Sequence, residues 1–475
     1  MISKRSLKLF KKAAKTLPAY KDFLEKANCN PAFIKRVPDF ANVPITSKKT
    51  YLQHYAQQDL VWPADWNGPM AICSTSGSTG EPYYFPRSKE LAEQASWMAE
   101  MFLRNSSYGK GRTLVLMGFG MGVWIGGIIT LRAFEIAAER MGAPVSFLPT
   151  GYNKVELFKA LKNIAPGYDQ TIIIGYPPFV KEIVDEAEAA GIDMRQLHIR
   201  LVFAAEAFTE TFRNYVSYKA AIKNPLFDTM NIYGSADIGA MAYETPLSIL
   251  VRRLAIEDPF LYKELFGQME KTPTLAQYNP KCIEFEAVGN ELIITGNSAL
   301  PLIKYAIGDH GGVLTYKEMV KLFKRYNLDL SAETDKARIG AHTKKHPFVF
   351  VYERTDLAIT LHGMIIYPEF IKEGLLMPGL PAYFTERFSM STKHDVRHNQ
   401  FIQINIELQQ GVEPSKELEA KALEAIHASL VKKSSEFAEV SKSKASRKLV
   451  QIVLWPNGHP RYFNPGVKQK WVEKS

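Results

Sequence analysis

Cysteine is scarce in this chain: Cys29, Cys73 and Cys282 are the three among 475 residues. They stand far apart, one of them inside an apolar run, which excludes a disulfide framework or a zinc site and points to a reducing, cytoplasmic setting. No dense lysine–arginine block interleaved with aromatics occurs, so nucleic acid is not an expected partner. The stretch Met1–Leu17 is amphipathic and lysine-rich but lacks a signal-type apolar core and a small-residue cleavage site, so no export signal is read. Thr113–Leu131 has no charge and is long enough to cross a bilayer. Its glycines (118, 120, 122, 126 and 127) and the flanking Arg112 and Arg132 favour a strand, a glycine-rich turn and a buried helix. No stable membrane insertion is therefore expected.

What remains is ordinary globular composition, 46% hydrophobic and 23% charged, in a chain too long for one core. The formal charge of +10 favours anionic partners such as nucleotides and coenzymes, with the excess on solvated faces such as Lys11-Lys12 and Lys432-Lys433.

Strands and helices alternate from Thr113 to Ile232, and runs such as Leu114-Val115-Leu116-Met117 and Ile172-Ile173-Ile174 are continuously apolar. This is the pattern of a largely parallel sheet covered by helices, whose ligands gather at the carboxyl ends of strands. Thr46 or Ser47 is expected to cap a helix. Gly289-Asn290 is expected to join two strands of a hairpin, and a second hairpin is expected to pair 348–352 with 357–361. Residues 245–281 give no clear pattern, and 316–326 reads as a lysine-rich surface helix. Beyond Ile366 the style changes to a smaller α+β unit.

Four polar clusters sit at strand ends. The first, Ser74-Thr75-Ser76-Gly77-Ser78-Thr79-Gly80, is seven small residues in a row, five hydroxylated, offering backbone N–H groups and hydroxyls to an anion. It lacks the lysine of a GxxxxGK[ST] loop, and a plain flexible turn is the competing reading. The second, Tyr233-Gly234-Ser235-Ala236-Asp237, combines an aromatic ring, a glycine and a carboxylate able to hold a metal. The third, Tyr305-Ala306-Ile307-Gly308-Asp309, ends in a carboxylate suited to the hydroxyls of a ribose. The fourth runs from Glu353 to Pro368. Each alone is compatible with an ordinary turn.

In this order the set resembles the adenylate-forming superfamily, most closely its phenylacetate–CoA ligase branch. Thr75 to Gly80 is similar to that family's phosphate-binding signature. Residues 119–127, from Phe119 through Trp124 to Gly126 and Gly127, resemble its glycine-rich turn beside the acyl pocket. Ala205-Glu206-Ala207 stands where the family has Gly-Glu-Pro. Tyr233 to Asp237 resembles the aromatic-Gly-x-x-acid motif, and Pro301 to Asp309 the strand ending in Gly-Asp. Glu353-Arg354-Thr355-Asp356 resembles the hinge region, and Gly466-Val467-Lys468-Gln469-Lys470 the loop carrying a catalytic lysine.

The resemblance implies a mixed α/β architecture: a large N-terminal domain over 1–353 with helix-covered, largely parallel sheets, a hinge over 354–356, and a small mobile α+β domain over 357–475. It implies a cytoplasmic ligase that activates a carboxylic acid with ATP and Mg2+ and passes the acyl group to coenzyme A. By the same resemblance, Thr75, Ser76, Gly77, Ser78, Thr79 and Gly80 hold phosphates. Tyr233 stacks on adenine, Gly234 allows close backbone approach to the nucleotide, and Ala205 and Glu206 line the adenine edge. Asp309 holds the ribose, Arg354 reaches the nucleotide, and Asp237 binds the metal. Asp356 is the hinge residue and Lys468 the catalytic lysine, with Lys470 its rival. Phe119, Trp124, Gly126 and Tyr176 border an acyl pocket suited to an aromatic or apolar acid. Glu81, Asp237 and Glu353 depart from the family pattern, where Lys, Glu and Gly are usual. A carrier-protein thiol or an amine as acceptor, a non-catalytic nucleotide-binding relative, and a homodimer all stay open.

Overall fold

The computed structural model describes residues 3–74, 83–122, 125–267, 272–352, 359–442, 446–460, 462–463 and 472. The chain forms two compact units, Met1–Ser74 with Tyr84–Arg354, and Thr75–Tyr83 with Thr355–Ser475.

The first unit is organised on a twelve-stranded sheet. Eleven of its strands are β1 (Thr113–Met117), β2 (Val145–Leu148), β3 (Gln170–Gly175), β4 (Ile199–Ala204), β5 (Thr229–Ser235), β6 (Gly239–Tyr243), β7 (Thr274–Gln277), β8 (Ile283–Val288), β9 (Glu291–Gly296), β10 (Leu302–Leu314) and β11 (Phe348–Tyr352). Their spatial order is β8-β9-β10-β11-β7-β6-β5-β4-β3-β1-β2. The five strands β2-β1-β3-β4-β5 are parallel. From β5 onward every pairing along the sheet is antiparallel. β1 and β3 are buried at every residue, as strands covered by helices on both faces must be. The α/β reading holds, with the parallel character concentrated in the half that carries the helical crossovers.

The uncharged stretch 113–131 is strand β1 followed by the start of the helix Ile125–Met141. Among the described residues no helix is long and apolar enough to cross a membrane. The β8–β9 hairpin forms as expected, with Val288 opposite Glu291 and both Gly289 and Asn290 at positive φ, 57° and 70°.

Two expectations are corrected. Thr46 caps no helix: Thr46–Ser47 pairs in parallel with Tyr305-Ala306, and the Thr46 hydroxyl donates to the Ile303 carbonyl at 2.9 Å, whereas Ser47 Oγ accepts the Thr50 N–H at 3.0 Å and caps a single turn rather than a helix. The hairpin expected across 353–356 does not form. β11 already has β7 and β10 on its two sides, while Ile359–Leu361 turns back on Met364–Ile366. The lysine-rich surface helix forms as expected over Tyr316–Arg325, with Lys317, Lys321 and Lys324 exposed, and its other face places Met319, Leu322 and Phe323 in a separate core with Leu247, Val251, Leu261 and Phe266. That core accounts for part of the patternless stretch 245–281, which holds the helices Pro246–Glu257 and Pro259–Phe266 and strand β7.

The second unit carries a three-stranded sheet in which Phe384–His394 is antiparallel to Gln400–Leu408, itself parallel to Val450–Trp455. The helices Pro368–Leu375 and Lys416–Lys433 contribute Ile371, Leu375, Ala422, Ile426 and Leu430 to its core. Leu418, Ala422, Ile426 and Leu430 recur every fourth residue and are all buried, the signature of a helix with one apolar face.

Candidate active site

Strand order reverses between β1 and β3, the place in an open α/β sheet where ligands gather at the carboxyl ends of strands. The turn after β1 passes close to its neighbour: Gly118 donates to the Ile174 carbonyl at 2.7 Å. A Cβ on Gly118 would lie 2.5 Å from the Phe179 ring, so a larger residue does not fit without displacing it. Phe119 and Tyr176, from the turns after β1 and β3, meet edge to face at 4.9 Å, and Tyr152 stacks on Tyr176 at 5.7 Å. Gly126 faces the same pair, since a Cβ there would sit 3.7 Å from the Tyr176 hydroxyl and 3.8 Å from the Phe119 ring. Three of the four expected acyl-side residues are therefore neighbours, and Trp124 lies outside the described residues. Phe119 and Tyr176 are buried in the main core.

On the other side, β4 ends in Ala204 and β5 in Ser235. Ala205 follows β4 with φ +74°, a left-handed conformation that favours glycine. The next carbonyl, that of Glu206, accepts from Asn231 Nδ2 at 3.0 Å, tying this turn to β5. Gly234 sits at a register shift between β5 and β6, where a Cβ would lie 2.8 Å from the Gly239 carbonyl oxygen; only glycine leaves that backbone in place. The structure brings two expected residues into direct contact from 76 positions apart: the Tyr233 hydroxyl donates to Asp309 Oδ2 at 2.5 Å. Both side chains are buried. Gly308, at φ +85°, precedes Asp309 on β10.

Asp237 is buried in the turn between β5 and β6, its N–H donating to Ser235 Oγ at 3.2 Å. The residue beside it was not singled out in the sequence. Arg87 ends the strand Tyr84–Arg87, is 2% exposed, and donates from Nη1 to the Asp237 carbonyl at 2.8 Å and from Nη2 to the Ala236 carbonyl. Burial pushes its guanidinium down to about 10, and Cys73 and Asp237 nearby oppose that shift. Arg87 is thus a buried cation two carbonyls from the proposed metal carboxylate. Its only sequence signal was an arginine ending a strand-like run.

A second unread feature supports this side from behind. Asn231 N–H donates to Glu244 Oε2 at 2.9 Å, and Glu244 accepts from Arg213 at 2.7 Å. Arg213 also reaches Glu210 at 3.1 Å, which Arg252 and Arg253 approach at 2.9 and 2.7 Å. Burial alone would raise the Glu210 carboxyl, but Arg213, Arg252 and Arg253 outweigh it and hold the group at about 2.

Thr75 to Gly80, Glu81, Arg354, Asp356, Lys468 and Lys470 lie outside the described residues. In the second unit the chain leading toward residue 468 is anchored at Phe463, whose carbonyl accepts from Arg387 at 3.0 Å. Arg387 pairs with Glu407, which also accepts the Gly458 N–H at 2.9 Å. On the far side, Val472 bridges to Met390.

No family model matches the chain. It is 22% identical over 302 residues to a phenylacetate-coenzyme A ligase of Pseudomonas putida, covering 63% of this chain and 63% of that protein. A phenylacetate-coenzyme A ligase of Thermus thermophilus is 22% identical over 225 residues, 47% of this chain and 46% of that protein. The matches thus span less than two thirds of either relative. Among solved structures, 2-hydroxyisobutyryl-CoA ligase with its 2-HIB-AMP and CoA, in the thioesterification state, superimposes with a TM-score of 0.65. That comparison covers 99% of this chain and 88% of the other at 15% identity. An open conformation of the same ligase gives 0.55 at 14% identity, over 99% and 90% of the two chains. The fold is that of 2-hydroxyisobutyryl-CoA ligase. Both sequence relatives are phenylacetate-coenzyme A ligases, the branch that the motifs resemble.

Proposed function

We propose that this chain is an AMP-forming acid–thiol ligase. It converts a carboxylic acid and ATP to an acyl-adenylate and pyrophosphate, then passes the acyl group to the thiol of coenzyme A, releasing AMP. The observation that carries the reading is the buried contact between Tyr233, near the end of β5, and Asp309, inside β10, in a chain similar to phenylacetate-coenzyme A ligases. In this reading Tyr233 packs on adenine, and its hydroxyl orients the Asp309 carboxylate toward the ribose. Ala205 and Glu206 border the base, Thr75 to Gly80 cradle the departing phosphates, and Arg354 reaches the nucleotide. Phe119, Trp124, Gly126 and Tyr176 suit an aromatic or otherwise apolar acid.

A carboxylate is a poor acyl donor because its leaving group would be oxide, and joining it to a phosphate brings two anions together. Cationic and N–H donors must offset that charge as it builds. Lys468 supplies the mobile one, a point charge able to follow either oxygen. Residues 357–475 turn about Asp356 to bring it in and take it away. Mg2+ fits the donor set in one mode only. No cluster of three metal-binding side chains occurs among the described residues, which suits an ion held mainly by phosphates and water with the Asp237 carboxylate as protein ligand. Bound there, it neutralises phosphate charge.

Pyrophosphate release over a panel of carboxylic acids, with and without coenzyme A, tests the reading. Release that requires an acid, and thioester that requires coenzyme A, are expected. ATP binding without turnover on any acid would overturn it in favour of a non-catalytic relative. Lys468→Ala is expected to abolish adenylation yet spare thioester formation from a supplied acyl-adenylate; full adenylation by that variant assigns the role to Lys470.

A further inference from the structure

Residues 1–50 contain twelve lysines and arginines against three acids, so nine of the ten net positive charges of the chain lie in its first fifty positions. The rest of the molecule is close to neutral. Helix Lys4–Thr16 buries Leu7, Phe10 and Ala13 against the protein. Lys4, Lys8, Lys11, Lys12 and Lys15 project from the opposite face, all exposed. At 3.6 residues per turn these five fall within about 100° of the circumference and run for about 16 Å along the axis. Lys11 donates to the Lys35 carbonyl at 3.1 Å, which holds the segment carrying Lys35 and Arg36 beside the stripe. Two residues before Lys35, the Phe33 ring stands 74% exposed.

We propose that this face docks the protein on an anionic lipid surface. The apolar side of the helix is committed to the protein core, so the helix cannot bury itself in a bilayer. It lies along the headgroups by charge, with Phe33 as the apolar contact at the interface. A flat row of lysines complements a diffuse negative surface. A nucleic-acid site would instead want arginine forks and several stacking rings, and the helix stripe contains lysine alone. Binding is electrostatic and therefore salt-sensitive.

The test is co-sedimentation of the full chain with vesicles of phosphatidylcholine containing about 30 mol % phosphatidylserine, against pure phosphatidylcholine. Binding to the first and not the second is expected, with release at ~0.5 M salt. Lys4, Lys8 and Lys15 replaced together by Ala, a better helix former, should keep the fold by circular dichroism and weaken binding on the order of 100-fold. Phe33→Ala should weaken it about tenfold. Absence of vesicle binding, equal binding by the triple variant, or tighter binding to single- or double-stranded RNA than to the vesicles overturns the proposal. None of these outcomes bears on the ligase reading.

Discussion

The carboxyl ends of the parallel strands carry two groups of expected site residues, held by different means. On the β1–β3 side, Phe119, Tyr176 and Tyr152 hold one another by ring packing, with Gly126 beside them. On the β4–β5 side, Tyr233 bonds Asp309, the Asp237 carbonyl accepts from Arg87, and the Glu206 turn is tied through Asn231 to the Glu210–Arg213–Glu244–Arg252 network. Packing is graded: a methyl more or less costs a little and reshapes the space. A buried ionic network is not graded, because deleting one member strands the charges it served. The polar side should thus be intolerant of change and the aromatic side adaptable, as suits a site with one fixed nucleotide and one variable acid.

The sharpest way to break that contrast is Glu210→Gln. Arg213, Arg252 and Arg253 share this carboxylate, and the first two are fully buried. A loss of about 3–5 kcal/mol in urea unfolding is expected. The same group sets an acid limb. Its pKa falls from 4.5 to about 2 on folding, so its contribution is complete above about 4.5 and disappears as pH drops toward 2. The wild-type protein should lose about 3 kcal/mol across that window from this residue, a loss the glutamine variant does not show. Equal acid profiles would remove the network from the account. Next in size, Tyr233→Phe deletes the hydroxyl that donates to Asp309. A hydrogen bond to a charged group is worth about 1.5–3 kcal/mol, so the KM for ATP should rise at least about tenfold, with the KM for the acid unmoved.

These two predictions rest on residues of unequal visibility in the sequence. Tyr233 and Asp309 were legible through the motifs around them, although Asp309 lies inside β10 and not at the strand end expected of it. The five parallel strands were legible because continuous Leu, Ile and Val runs can only be buried. Gly289-Asn290 was legible because that pair favours the tight turn it makes. Arg87, Glu210, Glu244 and Arg252 were not. A single charge on a strand or helix looks the same whether it faces solvent or a buried partner, and their partners come from elements 13 to 150 residues away. Thr46 was misread for a related reason: a hydroxyl that caps a helix and one that pairs with a distant strand have the same local sequence. The 353–356 stretch looked like a turn between strands because polar residues mark linkers as readily as hairpins; the division between compact units falls within it.

On the aromatic side, Gly126→Ala sharpens the comparison. The added methyl meets the Tyr176 hydroxyl and the Phe119 ring at ordinary contact distances, and the position lies in the helix Ile125–Met141. A gain of up to ~1 kcal/mol in stability is expected from helix propensity. Selectivity should move about tenfold toward smaller acids in kcat/KM, since a methylene in an apolar pocket is worth little more. A collapse in stability or in ATP binding would mean that this side is as rigid as the other.

The smallest effect belongs to Ala205→Gly. Alanine at φ +74° pays roughly 1–2 kcal/mol for a conformation glycine adopts freely, while glycine enlarges the unfolded ensemble by about 0.4–1 kcal/mol. Ala205 is exposed, so little packing is lost with its methyl. The variant should therefore be stabilised by ~0.5–1 kcal/mol, read as a higher urea midpoint at unchanged slope. Strain of this kind persists only where neighbours hold the backbone in place, and here the Asn231–Glu206 contact does so. Combining Ala205→Gly with Glu210→Gln tests that dependence. If the ionic network behind Asn231 enforces the turn, the glycine gain should shrink in the Glu210→Gln background, because a loosened β5 lets Ala205 relax. Strict additivity would show instead that the strain is local to the turn after β4, and that the polar side is two independent devices rather than one.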